Sequence, residues 1–130
     1  MLAKLVLLFV SLAFVGYGAV SLFFPDVPVG YIGYQLLGAD ARIEVVAMYG
    51  GLQLGLGIFF LVGVLSKSYE KPALLSVVLL LGGLGLSRGV SLLLASDSVT
   101  IYTHGALVFE IVSAVIAAYA FTRKNTADAG

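Results

Sequence analysis

Residues 72–94, PALLSVVLLLGGLGLSRGVSLLL, decide how the chain is read: the run is long enough to cross a bilayer as a helix, and it holds one charge, Arg88, well inside its apolar length. An ionisable side chain in hydrocarbon costs roughly 2.5 to 3.5 kcal/mol on insertion scales, so it is normally paired or faces water or a ligand. The rest of the chain is therefore searched for whatever answers Arg88.

Composition agrees with a membrane setting. The 130 residues are 61% hydrophobic and 11% charged, with a mean hydropathy of +1.11. A soluble domain carries about a quarter charged residues. Net charge is zero, and no basic run exceeds Arg123-Lys124, so nucleic acid is not an expected partner. Cysteine is absent and His104 is the one histidine, which excludes disulfides, thiolate metal sites and multi-histidine metal or haem sites within one chain. No metal and no cofactor is expected.

Outward from residues 72–94, three more apolar runs stand out, giving spans at about 2–24, 41–65, 72–94 and 101–122 and a small polar tail, 123–130, expected to fray. The first run exceeds a usual signal-peptide core and ends in Phe23-Phe24-Pro25, so it is read as a retained helix that Pro25 and Pro28 stop. In the following loop Tyr31 and Tyr34 join Phe23 and Phe24 as an interfacial aromatic belt. Ile32 to Leu37 is expected to lie as a short helix along the surface, and Asp40 to cap the second span. Residues 66–71 read as a tight polar turn that makes spans two and three antiparallel, with Pro72 at the first helical position.

Lys4, Lys67, Lys71, Arg123 and Lys124 fall on the side that holds both termini, whereas Asp26, Asp40 and Asp97 fall on the other. By the positive-inside rule both termini are cytoplasmic, in a bacterial inner membrane. The expected class is thus all-α, an integral membrane four-helix bundle forming a single domain over residues 1–130. The segments Val20–Phe24 and Val90–Leu94 echo each other, as do Ile43–Ala47 and Phe109–Ser113; an old hairpin duplication would make Glu44 and Glu110 counterparts.

This orientation converts position into depth. Arg88 lies six residues before Leu94, about 9 Å below the outer end of its helix. Glu110 enters from the same side, and Glu44 is about one turn into span two. At 100° per residue Glu110 shares a face with Thr103, Ala106, Ser113, Ala114 and Ala117, small residues suited to close helix contact, so it should point into the bundle. Ser87, Arg88 and Ser91 form one polar sector of span three. In span two, Glu44, Gly51 and Gly55 fall on one side and Arg42, Tyr49 and Gln53 on the other, so span two sits between two neighbours or Arg42 snorkels outward. Gly51 and Gly55 fit a GxxxG motif, which usually marks close packing within a bundle.

The candidate site is accordingly Arg88, Glu110 and Glu44 as the reactive charges, with Tyr49, Gln53, Ser87, Ser91 and His104 as ligand contacts. The alternative for the charges is a structural Arg88–Glu110 pair, and for His104 a capping or surface role.

Ala47-Met-Tyr-Gly-Gly51 with Gly55 and Gly57, then Gly85-Leu-Ser-Arg88 and the intramembrane Glu110, following a near-N-terminal lysine and a proline-containing loop, resemble a family of small bacterial four-helix membrane proteins known as a domain of unknown function. The likeness covers nearly the whole chain. It implies the four-helix fold and importance for Tyr49, Gly50, Gly51, Arg88 and Glu110, and it implies no activity. That family often carries an arginine just before the Tyr-Gly-Gly segment, where this chain has Val45-Val46 and an arginine only at Arg42.

Three functions follow as expectations. The first is a polar site in the outer half of the bilayer that binds a membrane lipid or small amphipathic ligand, with isomerisation or cyclisation as the chemistry open to it. There a glutamate would exchange the proton and Arg88 would hold an anionic or carbonyl group. The second is a non-catalytic accessory subunit that meets a partner membrane protein or a second copy of itself. The third is a proton-coupled transporter; small multidrug transporters rely on a glutamate in their first helix, and the first run here has no acid.

Overall fold

A computed structural model of the chain describes residues 1–128, with side chains through Arg123. Every regular element among the described residues is helical: α1 (Leu2–Phe23), α2 (Asp26–Tyr31), α3 (Ala39–Val45), a π turn (Val46–Gly51), α4 (Leu52–Leu65), α5 (Lys67–Leu94) and α6 (Ile101–Asp128). The α3, π-turn and α4 segments form one continuous rod, Ala39–Leu65. Four helices are long and apolar enough to cross a membrane. At 1.5 Å per residue even the shortest, α1, is about 33 Å long against a hydrocarbon layer of about 30 Å.

The helices run up and down. α1 packs chiefly against the second span and α5 against α6, and the two pairs meet through α4 with α5 and α1 with α6. Leu7, Val10, Phe14, Phe60, Leu74, Val77, Leu81 and Ala117 fill the middle, with the Phe14 and Phe60 rings edge to face at 5.5 Å. Lipid is as apolar as leucine, so burial alone does not drive such helices together; close van der Waals contact and interhelical hydrogen bonds do. Both are present. A Cβ on Gly18 would lie 2.6 Å from the backbone nitrogen of Leu54, and one on Gly57 would lie 2.8 Å from the backbone nitrogen of Val15. One turn before Val15, Ser11 Oγ donates to the Gly57 carbonyl at 2.8 Å.

These close approaches correct the reading of Gly51 and Gly55. Both are exposed, and a Cβ on Gly55 would meet nothing within 4 Å. Gly50 and Gly57, seven residues apart and so on one helical face, approach α1 instead.

Three local expectations also change. The short helix in the first loop is Asp26–Tyr31, not Ile32–Leu37, and Gly33 (φ 75°) ends it in a left-handed conformation. The N-cap of α3 is Gly38 rather than Asp40, which lies in the first turn where its charge suits the helix dipole. Residues 67–71 are helical, so spans two and three are joined through Ser66 alone and Pro72 lies inside α5. Hydropathy marks where the apolar layer begins, whereas α5, about 42 Å long, starts five residues earlier. At that end Glu70 is buried and already engaged. The expected tail falls partly within α6, which continues through Asp128, and partly on residues 129–130, outside the described residues.

Candidate functional site

Arg88 and Glu110 meet side-on. Arg88 Nε donates to Glu110 Oε2 at 2.9 Å, and Nη2 donates to Oε1 at 2.7 Å. A planar guanidinium and a planar carboxylate make this fork only when both are aligned, which lysine could not reproduce. Glycine makes room for it: Gly85, one turn before Arg88, lies so close to α6 that a Cβ there would fall 2.6 Å from Ile111 Cδ1 and 3.3 Å from Glu110 Cβ. The pair is asymmetric in burial, with side-chain exposures of 30% for Arg88 and 6% for Glu110.

The exposed part of Arg88 opens on a cavity of about 340 Å³ inside the bundle. All four spans line it. Phe14 and Tyr17 come from α1, Tyr49 and Gln53 from span two, Leu81, Leu84 and Arg88 from α5, and Tyr102, Ala106, Phe109 and Glu110 from α6. Tyr17 stands edge to face on Tyr49 at 6.4 Å and lines the cavity together with Tyr102 and Arg88. Tyr102 in turn stacks on Tyr31 of α2 at 6.3 Å, nearly parallel. Most of the lining is apolar, with a few polar groups converging at one end, the usual build of a small-molecule site.

The remaining candidates fall around this cavity. Ser87 and Ser91 line an adjoining hollow of about 360 Å³ that also touches Arg88 and Thr103, and the Ser87 hydroxyl donates back to the Gly83 carbonyl. His104 is exposed and outside the Arg88 cavity lining. Glu44 is exposed and lines a neighbouring groove of about 600 Å³. Tyr49 and Gln53 line that groove too, so Glu44 does not lie opposite them. A regular helix would have put them on opposite faces; the wider π turn between Glu44 and Gln53 brings them to one groove. Arg42 neither snorkels alone nor enters the bundle, because its guanidinium bonds Asp26 of α2 at 2.8 Å. Glu44 and Glu110, paired by the sequence echo, thus have different surroundings.

Tyr17 and Tyr102 are the lining residues that sequence reasoning passed over. A signal existed for Tyr17: it interrupts an apolar run six residues before Phe23, the same interval that separates Arg88 from Leu94.

The motif residues Tyr49, Gly50, Gly51, Arg88 and Glu110 therefore bear on this cavity or on the π turn beside it. Residues 2–121 match the family described as Domain of unknown function (DUF4345). The chain belongs to that family. In this chain Tyr49-Gly50-Gly51 is the second half of the π turn: Tyr49 reaches the cavity while Gly50 lets α1 approach, since a Cβ there would fall 2.8 Å from the Leu22 side chain. No curated protein and no solved structure is detectably similar to the chain.

Proposed function

We propose that this small membrane protein binds a lipid-like molecule through Arg88, in the outer half of a bacterial inner membrane with both termini cytoplasmic. One observation carries the reading: a guanidinium that spends two of its five donors on Glu110 also lines a largely apolar cavity shaped by four spans. A purely structural pair needs no such cavity.

The ion pair also selects the head group. Arg88 and Glu110 are neutral together, so a full anion would leave net charge in a low-dielectric site, whereas a carbonyl accepts hydrogen bonds from the free N–H groups at no such cost. The ligand class is therefore an amphiphile with an uncharged carbonyl-bearing head. Should it react, isomerisation or cyclisation suits the site, with a tyrosine hydroxyl or Glu110 exchanging the proton. Both Glu110 oxygens already accept from Arg88, which favours binding over proton transfer.

The chain lacks tryptophan, so tyrosine emission reports directly on a cavity lined by Tyr17, Tyr49 and Tyr102. Titrating the detergent-solubilised protein with a long-chain methyl ketone should give a saturable change in emission that Arg88→Gln weakens. A linear response, identical in the variant, contradicts the reading. The alternative of an accessory subunit draws on the same fork, which locks α5 to α6; it predicts no saturable binding.

A further inference from the structure

The groove holding Glu44 adjoins the Arg88 cavity. Phe14, Tyr49, Gln53 and Leu84 line both, so the two spaces share a wall made from α1, span two and α5. Leu52, Leu56, Leu80 and Leu84 give the groove facing apolar sides, and Tyr34, Gln35 and Glu44 add polar groups. Its position follows from how α4 and α5 are joined. They are pinned at the Ser66 end, where a Cβ on Gly63 would collide with the Ala73 Cβ, whereas the groove lies further from that joint, at residues 52–56 of α4 and 80–84 of α5.

We infer that this groove between the second and third spans seats the hydrocarbon chain of the ligand whose head Arg88 holds, and that the ligand is a single-chain amphiphile taken sideways from the bilayer. The inference rests on the binding role proposed above for Arg88, and adds where the chain lies and how many there are. Ordinary lipid-facing furrows are apolar throughout; this one has exposed leucines along its sides and adjoins the cavity that Arg88 lines, so apolar and polar surfaces follow one another as they do along an amphiphile. One chain is assigned because the groove shares four lining residues with the cavity, whereas the apolar hollow with Val20 and Val27 shares only Tyr17 and Tyr102. Glu44 and Gln35 stand beside the chain path, where they can accept or donate a hydrogen bond to a second polar group on the ligand.

The test uses a long-chain fatty amide with a mid-chain diazirine, irradiated with the full-length protein in phosphatidylcholine vesicles, and peptide mapping of the label. Labelling is expected on the segments containing Leu52, Leu56 and Leu80, reduced severalfold by Leu80→Trp and by Arg88→Gln with Glu110→Gln, and unchanged by Val20→Trp. Label that depends on Arg88 and Glu110 but maps to the Val20 and Val27 side overturns the chain seat and leaves the binding reading intact. Label in the groove that ignores the double substitution overturns the link between chain and head. Label that is neither saturable nor sensitive to any of these substitutions overturns the binding reading with it.

Discussion

Glu110 is sealed while the arginine that clasps it is not: the two share a two-point fork at 2.9 and 2.7 Å, yet the Arg88 side chain is 30% exposed and that of Glu110 6%. The asymmetry makes the two single substitutions unequal. Arg88→Gln strands a largely buried carboxylate without its partner and should cost about 3 kcal/mol. Glu110→Gln leaves a guanidinium that still reaches the cavity and should cost about 1 kcal/mol. The double substitution removes both charges and should cost less than the sum. Unfolding in mild detergent measures all three; equal single costs would mean that burial does not distinguish the partners.

The α1 interface gives a second, independent prediction. Gly18→Ala sets a methyl group against immovable backbone at Leu54 and should destabilise by about 1–3 kcal/mol. Gly55→Ala meets open space in a helix and should be neutral or stabilising by up to about 1 kcal/mol. Reversed signs would place the GxxxG pair, rather than Gly18 and Gly57, at the packed face.

Tyr17→Phe keeps the ring that leans on Tyr49 and deletes a hydroxyl from a residue that lines the Arg88 cavity. Folding should change little, and affinity for a ketone amphiphile should fall about three- to tenfold, the worth of one hydrogen bond. Loss of folding with affinity intact would assign Tyr17 to packing alone.

Orientation has a clean test because the chain contains no cysteine. In intact cells, Ser66→Cys should resist a membrane-impermeant maleimide until the membrane is opened, and Ser96→Cys should react at once. The opposite pattern would invert the bundle and place Arg88 in the inner half of the bilayer.

The parts legible in the sequence are those governed by a single physical demand. A charge in hydrocarbon demands a partner, and the helical period turned Glu110 inward among small residues, so the Arg88 pairing could be reached from spacing alone. Glu44 could not be placed that way. Its relation to Tyr49 and Gln53 depends on a π turn that no hydropathy pattern announces, and one extra residue per turn is enough to bring opposed faces together. Pro72 misled because the apolar layer and the helix begin at different residues. Tyr17 lies in an apolar run that reads only as a retained first helix, so its place in the cavity does not follow from hydropathy.

Co-purification reaches the central claim most directly. Mass spectrometry of small molecules carried through purification in mild detergent should find a single-chain, carbonyl-bearing amphiphile in stoichiometric amount with the parent chain, and should lose it when Arg88→Gln and Glu110→Gln are combined in a protein that still folds. The same amphiphile retained at the same stoichiometry by that double variant would contradict the account.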